Sequence, residues 1–208
     1  MKNSKWFALV ALTGVLASCN PLALIPPQKF ENNPMQLDGA KIATDALQQL
    51  AVGASASYQT DPFADFDKSA MPIQGAAPDL TELVIKIDKV QLTGCLNPPD
   101  AFKISLKDVK VSVRNVNSET GPETTQSPNP LEGNASQKTV IVGGFEYTLD
   151  STKEVKFSFG RDAFDTVTSN GNNIASISGR VEADQNSLAG CSVFAVVSDH
   201  TLTFSNFR

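Results

Sequence analysis

The sequence predicts an all-β protein: an antiparallel β-sandwich or open barrel of about seven or eight strands, with one short N-terminal helix. Three observations carry that prediction. From Leu83 onward, apolar and polar residues alternate in short runs, as they do in half-buried strands. Turn residues separate the runs at the spacings of sandwiches and barrels. The connections are too short or too irregular for the helical crossovers that parallel strands need.

The chain opens Met1-Lys2-Asn3-Ser4-Lys5, runs apolar from Trp6 to Ala17, and reaches Leu16-Ala17-Ser18-Cys19. Two early lysines, a short apolar run and small residues before a cleavage point predict a secretory signal peptide over residues 1–18. The run falls short of the ~20 apolar residues of a membrane-spanning helix. Its ending resembles the lipobox of bacterial lipoproteins, in which an aliphatic residue and two small residues precede a cysteine. That resemblance implies that Cys19 bears lipid, palmitate among its acyl chains, as the first residue of the mature chain. Family members usually carry three acyl chains, and two or more give stable anchoring. Asn20 stands where some bacteria read Asp as an inner-membrane retention signal. In a host with two membranes the expectation therefore leans to the outer one; with a single membrane the protein would face outward.

Prolines 21, 26, 27 and 34 hold residues 19–36 extended, as a lipid-anchored tether. Within it, Leu22–Ile25 forms an apolar patch that lies either on the lipid or on the body. Residues 37–208 read as a single β-rich domain. Ile42, Ala46, Leu47 and Leu50 fall at helical spacing, so Asp38–Leu50 is the expected helix, with a strand as the fallback. Residues 51–80, rich in Ala, Ser, Asp, Pro and Gly, read as irregular.

Leu83, Ile85 and Ile87 alternate, and Val90 and Leu92 resume the alternation one residue out of phase. Phe102, Ile104 and Leu106 followed by Val109, Val111 and Val113 repeat that slip. A β-bulge, or a bend, is expected near Asp88 and near Asp108. Residues 117–137 are polar and turn-rich and read as a long loop. Further strands are expected at Thr139–Leu149, Glu154–Phe159, Ile174–Ala183, Ser192–Ser198 and Thr201–Phe207. A helical turn is expected over Arg161–Thr168 and a tight turn over Asn170–Asn173. Lys86, Lys103, Lys107 and Lys110 read as solvated residues that discourage edge pairing.

The formal net charge is −5 at pH 7, and more negative once Lys2 and Lys5 leave with the signal. A nucleic-acid partner is not expected, for want of a basic face. With Cys19 set aside for lipid, Cys95 and Cys191 remain, each following a glycine, in an export compartment that permits disulfides. A structural Cys95–Cys191 bridge is expected; the alternatives are a reactive dithiol, which more often reads Cys-x-x-Cys, or a metal site, which needs further ligands.

The catalytic inventory is thin. His200 is the one histidine. It sits beside Ser198 and Asp199 in an expected turn, where an exposed residue is the plain reading and a Ser-His-Asp site the sharper one. No metal is expected: Asp61, Asp65 and Asp67 are the best candidate calcium ligands, but their spacing does not match Asp-x-Asp-x-Asp-Gly and Pro62 restricts the backbone; more simply, Phe63 and Phe66 anchor the segment while the acids face water. Glu182 and Asp184 share a strand face, but a hydrolytic pair needs a cleft between its acids. No cofactor motif occurs. The leading expectation is a lipid-anchored, non-catalytic module that binds an envelope protein or glycan, or supports an assembly. A carrier of an apolar ligand such as a lipid or acyl chain is the alternative, and a carboxylate hydrolase the third reading.

Overall fold

A computed structural model describes residues 21–43, 55–66, 75–169, 171–183, 188 and 190–208. Cys19, Asp67 and Asp184 lie outside them, as do residues 44–50 of the expected helix. Ten strands are described: β1 (Gln28–Phe30), β2 (Lys41–Ala43), β3 (Ser55–Gln59), β4 (Pro78–Thr93), β5 (Phe102–Asn115), β6 (Glu123–Thr125), β7 (Leu131–Ile141), β8 (Gly144–Phe159), β9 (Asn173–Ala183) and β10 (Ser192–Phe207). One helix, α1 (Arg161–Val167), joins β8 to β9. The protein is thus antiparallel β, built on one continuous sheet in the order β1-β10-β4-β8-β7-β5-β9-β3, with β2 also on β10 and β6 on β5.

The two phase slips are bulges. In β4 the pairing with β8 shifts between Ile87 and Lys89, so Ile87 and Val90 both face the core. In β5 the pairing with β9 shifts between Lys107 and Lys110, and Asp108 takes φ +52°. Each bulge keeps a long strand apolar on one face, which a strict alternation through the same sequence would not. That face is dry: Leu83, Ile85, Leu106, Tyr147, Phe157 and Phe204 have no or almost no solvent exposure.

The ends of the hydrogen-bonded path turn toward each other. Ile42 of β2 lies against Gly179 of β9, although β2 hydrogen-bonds only to β10. The segment between β1 and β2 covers the same opening, with Met35, Leu37 and Ala40 buried. Helix α1 packs on both β4 and β5, and Phe164 meets the Phe204 ring edge-on at 5.1 Å.

Several expectations give way here. Ten strands are described where seven or eight were expected, in one sheet rather than the two of a sandwich. β4, β8 and β10 bulge without breaking, so each 16-residue strand crosses the whole body. Thr139–Leu149 is not one strand: the chain reverses at Val142-Gly143, where Gly143 has φ +80°, and β8 then runs on through Glu154–Phe159. Ser192–Ser198 and Thr201–Phe207 are one strand, because bulges between Val196 and Asp199 absorb what reads as a turn. The loop at 117–137 contains β6 and the start of β7, and the irregular 51–80 contains β3 and the first residues of β4. At the expected helix, Lys41–Ala43 is a strand, since pairing of Ile42 with Ala195 outweighs a weak local preference. From Gln28 on, the expected tether is part of the body, through β1 and buried Met35. Leu22 and Ile25 pack on the core while Leu24 faces solvent. The helical turn after β8 is where it was expected.

Candidate functional site

A solvent-open groove of about 470 Å³ lies on the outer face where β5 is paired between β7 and β9. Pairing register places its polar row. Ser105 of β5 has Glu132 of β7 as its partner on one side and Glu182 of β9 on the other. One step along, Lys103 faces Asn134. Residues directly opposite in antiparallel strands share a face, so these groups line the groove together, and Asp150 of β8 joins them.

Asp150 is held as a carboxylate. Asp150 Oδ1 lies 2.7 Å from Lys153 Nζ, and Asp150 Oδ2 accepts a hydrogen bond from Asn134 Nδ2 at 2.8 Å. These bonds pull its pKa down to about 2. Gly133 makes room, since a Cβ there would meet Lys153 Cε at 2.8 Å. Glu182 Oε2 is 2.5 Å from Lys107 Nζ. A hydrolytic pair needs one acid with a proton to give and a second carboxylate that is ionised. Asp150 has no proton to give near neutrality, and Glu182 is tied to a lysine. Of these residues only Lys103, Lys107 and Glu182 stand out in the sequence. Glu132, Asn134 and Asp150 carry no motif and are brought together by register alone.

His200 is not in a turn and not exposed. It lies on the dry face of β10 with no solvent exposure. Its Nδ1 is 2.7 Å from Asp38 Oδ1, and its Nε2 accepts the Met35 backbone N–H at 3.0 Å. That pattern makes it a neutral imidazole with the proton on Nδ1. Burial lowers its pKa, against the opposing pull of Asp38. The acid partner is therefore Asp38 and not Asp199, which pairs with Lys86 at 2.9 Å. Ser198 Oγ bonds to the Lys86 carbonyl. With Nε2 taken by a backbone amide, the ring has no free position to act as a base.

The acidic segment is divided. Asp65 accepts from the Gly171 N–H at 2.9 Å and from Asn173 Nδ2 at 2.8 Å, tying the segment to the start of β9. Asp61 faces solvent. Phe63 is buried, and Phe66 stacks edge-on with Phe30 and Phe204. Among the described residues no three His, Cys, Asp or Glu side chains gather as metal ligands.

Cys95 and Cys191 form a disulfide, joining the end of β4 to the chain entering β10. Gly94 and Gly190, with φ +77° and +83°, turn the two chains toward each other; a Cβ on Gly94 would touch the Gly190 carbonyl at 3.4 Å. No protein-family model and no curated protein matches this chain.

Proposed function

We propose that this chain is a bacterial cell-envelope lipoprotein, lipid-anchored through Cys19, whose body is a non-catalytic binding module. We read that body as an opened barrel rather than a sandwich, because the facing ends of the sheet path approach without pairing. The observation that carries the reading is the groove, where Glu132, Asp150 and Glu182 from three strands stand as hydrogen-bond acceptors beside Lys103 and Asn134. Carboxylate acceptors interleaved with donors suit a hydroxyl-rich ligand, and an envelope glycan is the partner we assign. The carrier reading draws no support from the dry face, which tightly packed aliphatic and aromatic side chains occupy.

The test is native mass spectrometry of residues 20–208, exported to a periplasm and then mixed with cell-wall glycan fragments. Glycan adducts that weaken several-fold in Glu132→Ala, a substitution at an exposed side chain, are the expected result. An adduct of lipid mass that survives purification and leaves on unfolding would replace the binding module with the carrier. No glycan adduct at any concentration would overturn the glycan assignment.

A further inference from the structure

At the end of the molecule that carries the disulfide, the β7–β8 hairpin projects an uncharged run, Thr139-Val140-Ile141-Val142-Gly143-Gly144-Phe145. Val142 is fully exposed at 102% and Val140 is exposed at 76%. Leu96, 93% exposed, stands at the same end, in the loop that follows β4. Two bonds brace that loop against the hairpin: Tyr147 Oη donates to the Pro99 carbonyl at 2.7 Å, and Lys138 Nζ to the Pro98 carbonyl at 3.1 Å. The charges at the hairpin base are paired, Lys138 with Asp100 and Glu146 with Lys89. The protein therefore holds two rigid, neutral, apolar prongs out in water.

We propose that this tip inserts shallowly into a phospholipid bilayer. A stable protein interface buries ~800 Å² per partner around a packed centre. Three aliphatic side chains on a convex two-residue turn and its neighbouring loop are too few and too dispersed for that. Insertion has no such threshold, because each apolar group entering the acyl boundary contributes separately. Backbone pairing between Ile141 and Gly144 satisfies the flanking groups, and shallow insertion leaves the Val142–Gly143 peptide groups to the headgroup water.

The location adds a consequence. β10 begins beside Thr93 at the tip and ends beside Pro78, and β1, which leads from the N-terminus, pairs with Leu202–Phe204 near that far end. Sixteen residues of strand span roughly 50 Å. The tip is thus a second membrane contact, at the opposite end of the sheet from β1, and it does not depend on lipid at Cys19.

The test uses residues 20–208, which contain every described strand, the helix and the disulfide. Trp6 is the only tryptophan, so Val142→Trp places a unique fluorophore at the tip, and Glu119→Trp places one in the exposed turn after β5, at the other end. With vesicles of phosphatidylethanolamine and phosphatidylglycerol, the tip probe is expected to shift to the blue and be quenched by brominated acyl chains, while the Glu119→Trp probe does neither. Val140→Asp with Val142→Asp should weaken vesicle binding by roughly tenfold or more, with an unchanged circular dichroism spectrum because both positions are exposed. Identical tip emission with and without vesicles would overturn the proposal. So would a blue shift that appears without lipid and grows with protein concentration, which would mean a second copy covers the tip.

Discussion

His200 directs both ring nitrogens at the segment between β1 and β2, one to the Asp38 carboxylate and one to the Met35 amide. Protonating Nε2 would set one N–H against another and place charge on a face with no water. Asp38 favours the charged ring, as does Asp199 from the neighbouring position, yet burial outweighs both and the pKa falls below 6.5. Asp199 is itself engaged with Lys86 of β4. A base whose pKa is lower in the folded state leaves stability intact above the unfolded value. As pH falls below about 6.5 the unfolded chain takes up the proton first, so stability declines until the folded ring protonates as well. The slope cannot exceed about 1.4 kcal/mol per pH unit for one proton. Urea titrations between pH about 7 and about 5 should show this decline in the native sequence. In His200→Gln the decline should vanish, since no other histidine exists. A native sequence equally stable across that range would refute the neutral, buried assignment.

At the scale of the element, the bulge in β5 shows how a sequence irregularity is made structural. On the opposite edge of the same bulge, pairing with β7 ends at Leu106 and pairing with β6 begins at Lys110, so the Leu106 carbonyl and the Val109 backbone groups need partners. Gln126, buried between β6 and Pro128, supplies them. Its Oε1 accepts the Val109 N–H at 3.1 Å, its Nε2 donates to the Leu106 carbonyl at 3.2 Å, and its own N–H bonds to the Val109 carbonyl at 2.8 Å. Gln126→Ala leaves buried backbone groups unpaired and should cost about 1–3 kcal/mol, read as a lower denaturant midpoint. A loss near zero would mean that water replaces the side chain at no cost. The bulge itself was legible, because Leu106 and Val109 break a two-residue period that is otherwise strict. Gln126 was not, since it sits in a run of Pro, Ser, Thr and Asn with no periodicity. The same division holds elsewhere. The apolar alternation of β4, β5 and β9 reports which face is dry, but His200 and Asp38 are 162 positions apart, and nothing local marks them as partners. Likewise Ser105 can be read as a strand residue from Phe102-Lys103-Ile104-Ser105-Leu106, while its flanking by Glu132 and Glu182 depends on strand order, which a single sequence does not encode locally.

Across the whole molecule, strand order gives the disulfide its meaning. β4 and β10 are neighbours in the sheet, yet everything from β5 to β9 is inserted between them in sequence. The bridge closes that excursion at its base, across a separation of 96 residues. Non-local pairings of this kind carry a large loop-closure entropy, and a covalent link at the base removes much of it from the unfolded chain. The chain-entropy model assigns a loop of this length roughly 4–5 kcal/mol, an upper figure where the native state gives some back. Replacing both cysteines, Cys95→Ser with Cys191→Ser, should therefore lower the denaturant midpoint sharply. Because the partner strands keep twelve or more cross-strand pairs beyond the bridge, the variant should retain the native circular dichroism spectrum in the absence of denaturant. It should also expose more surface on unfolding, and so unfold with a steeper denaturant dependence. A midpoint unmoved by loss of the bridge would show that pairing of β4 with β10 survives in the denatured chain and closes the loop without the sulfurs.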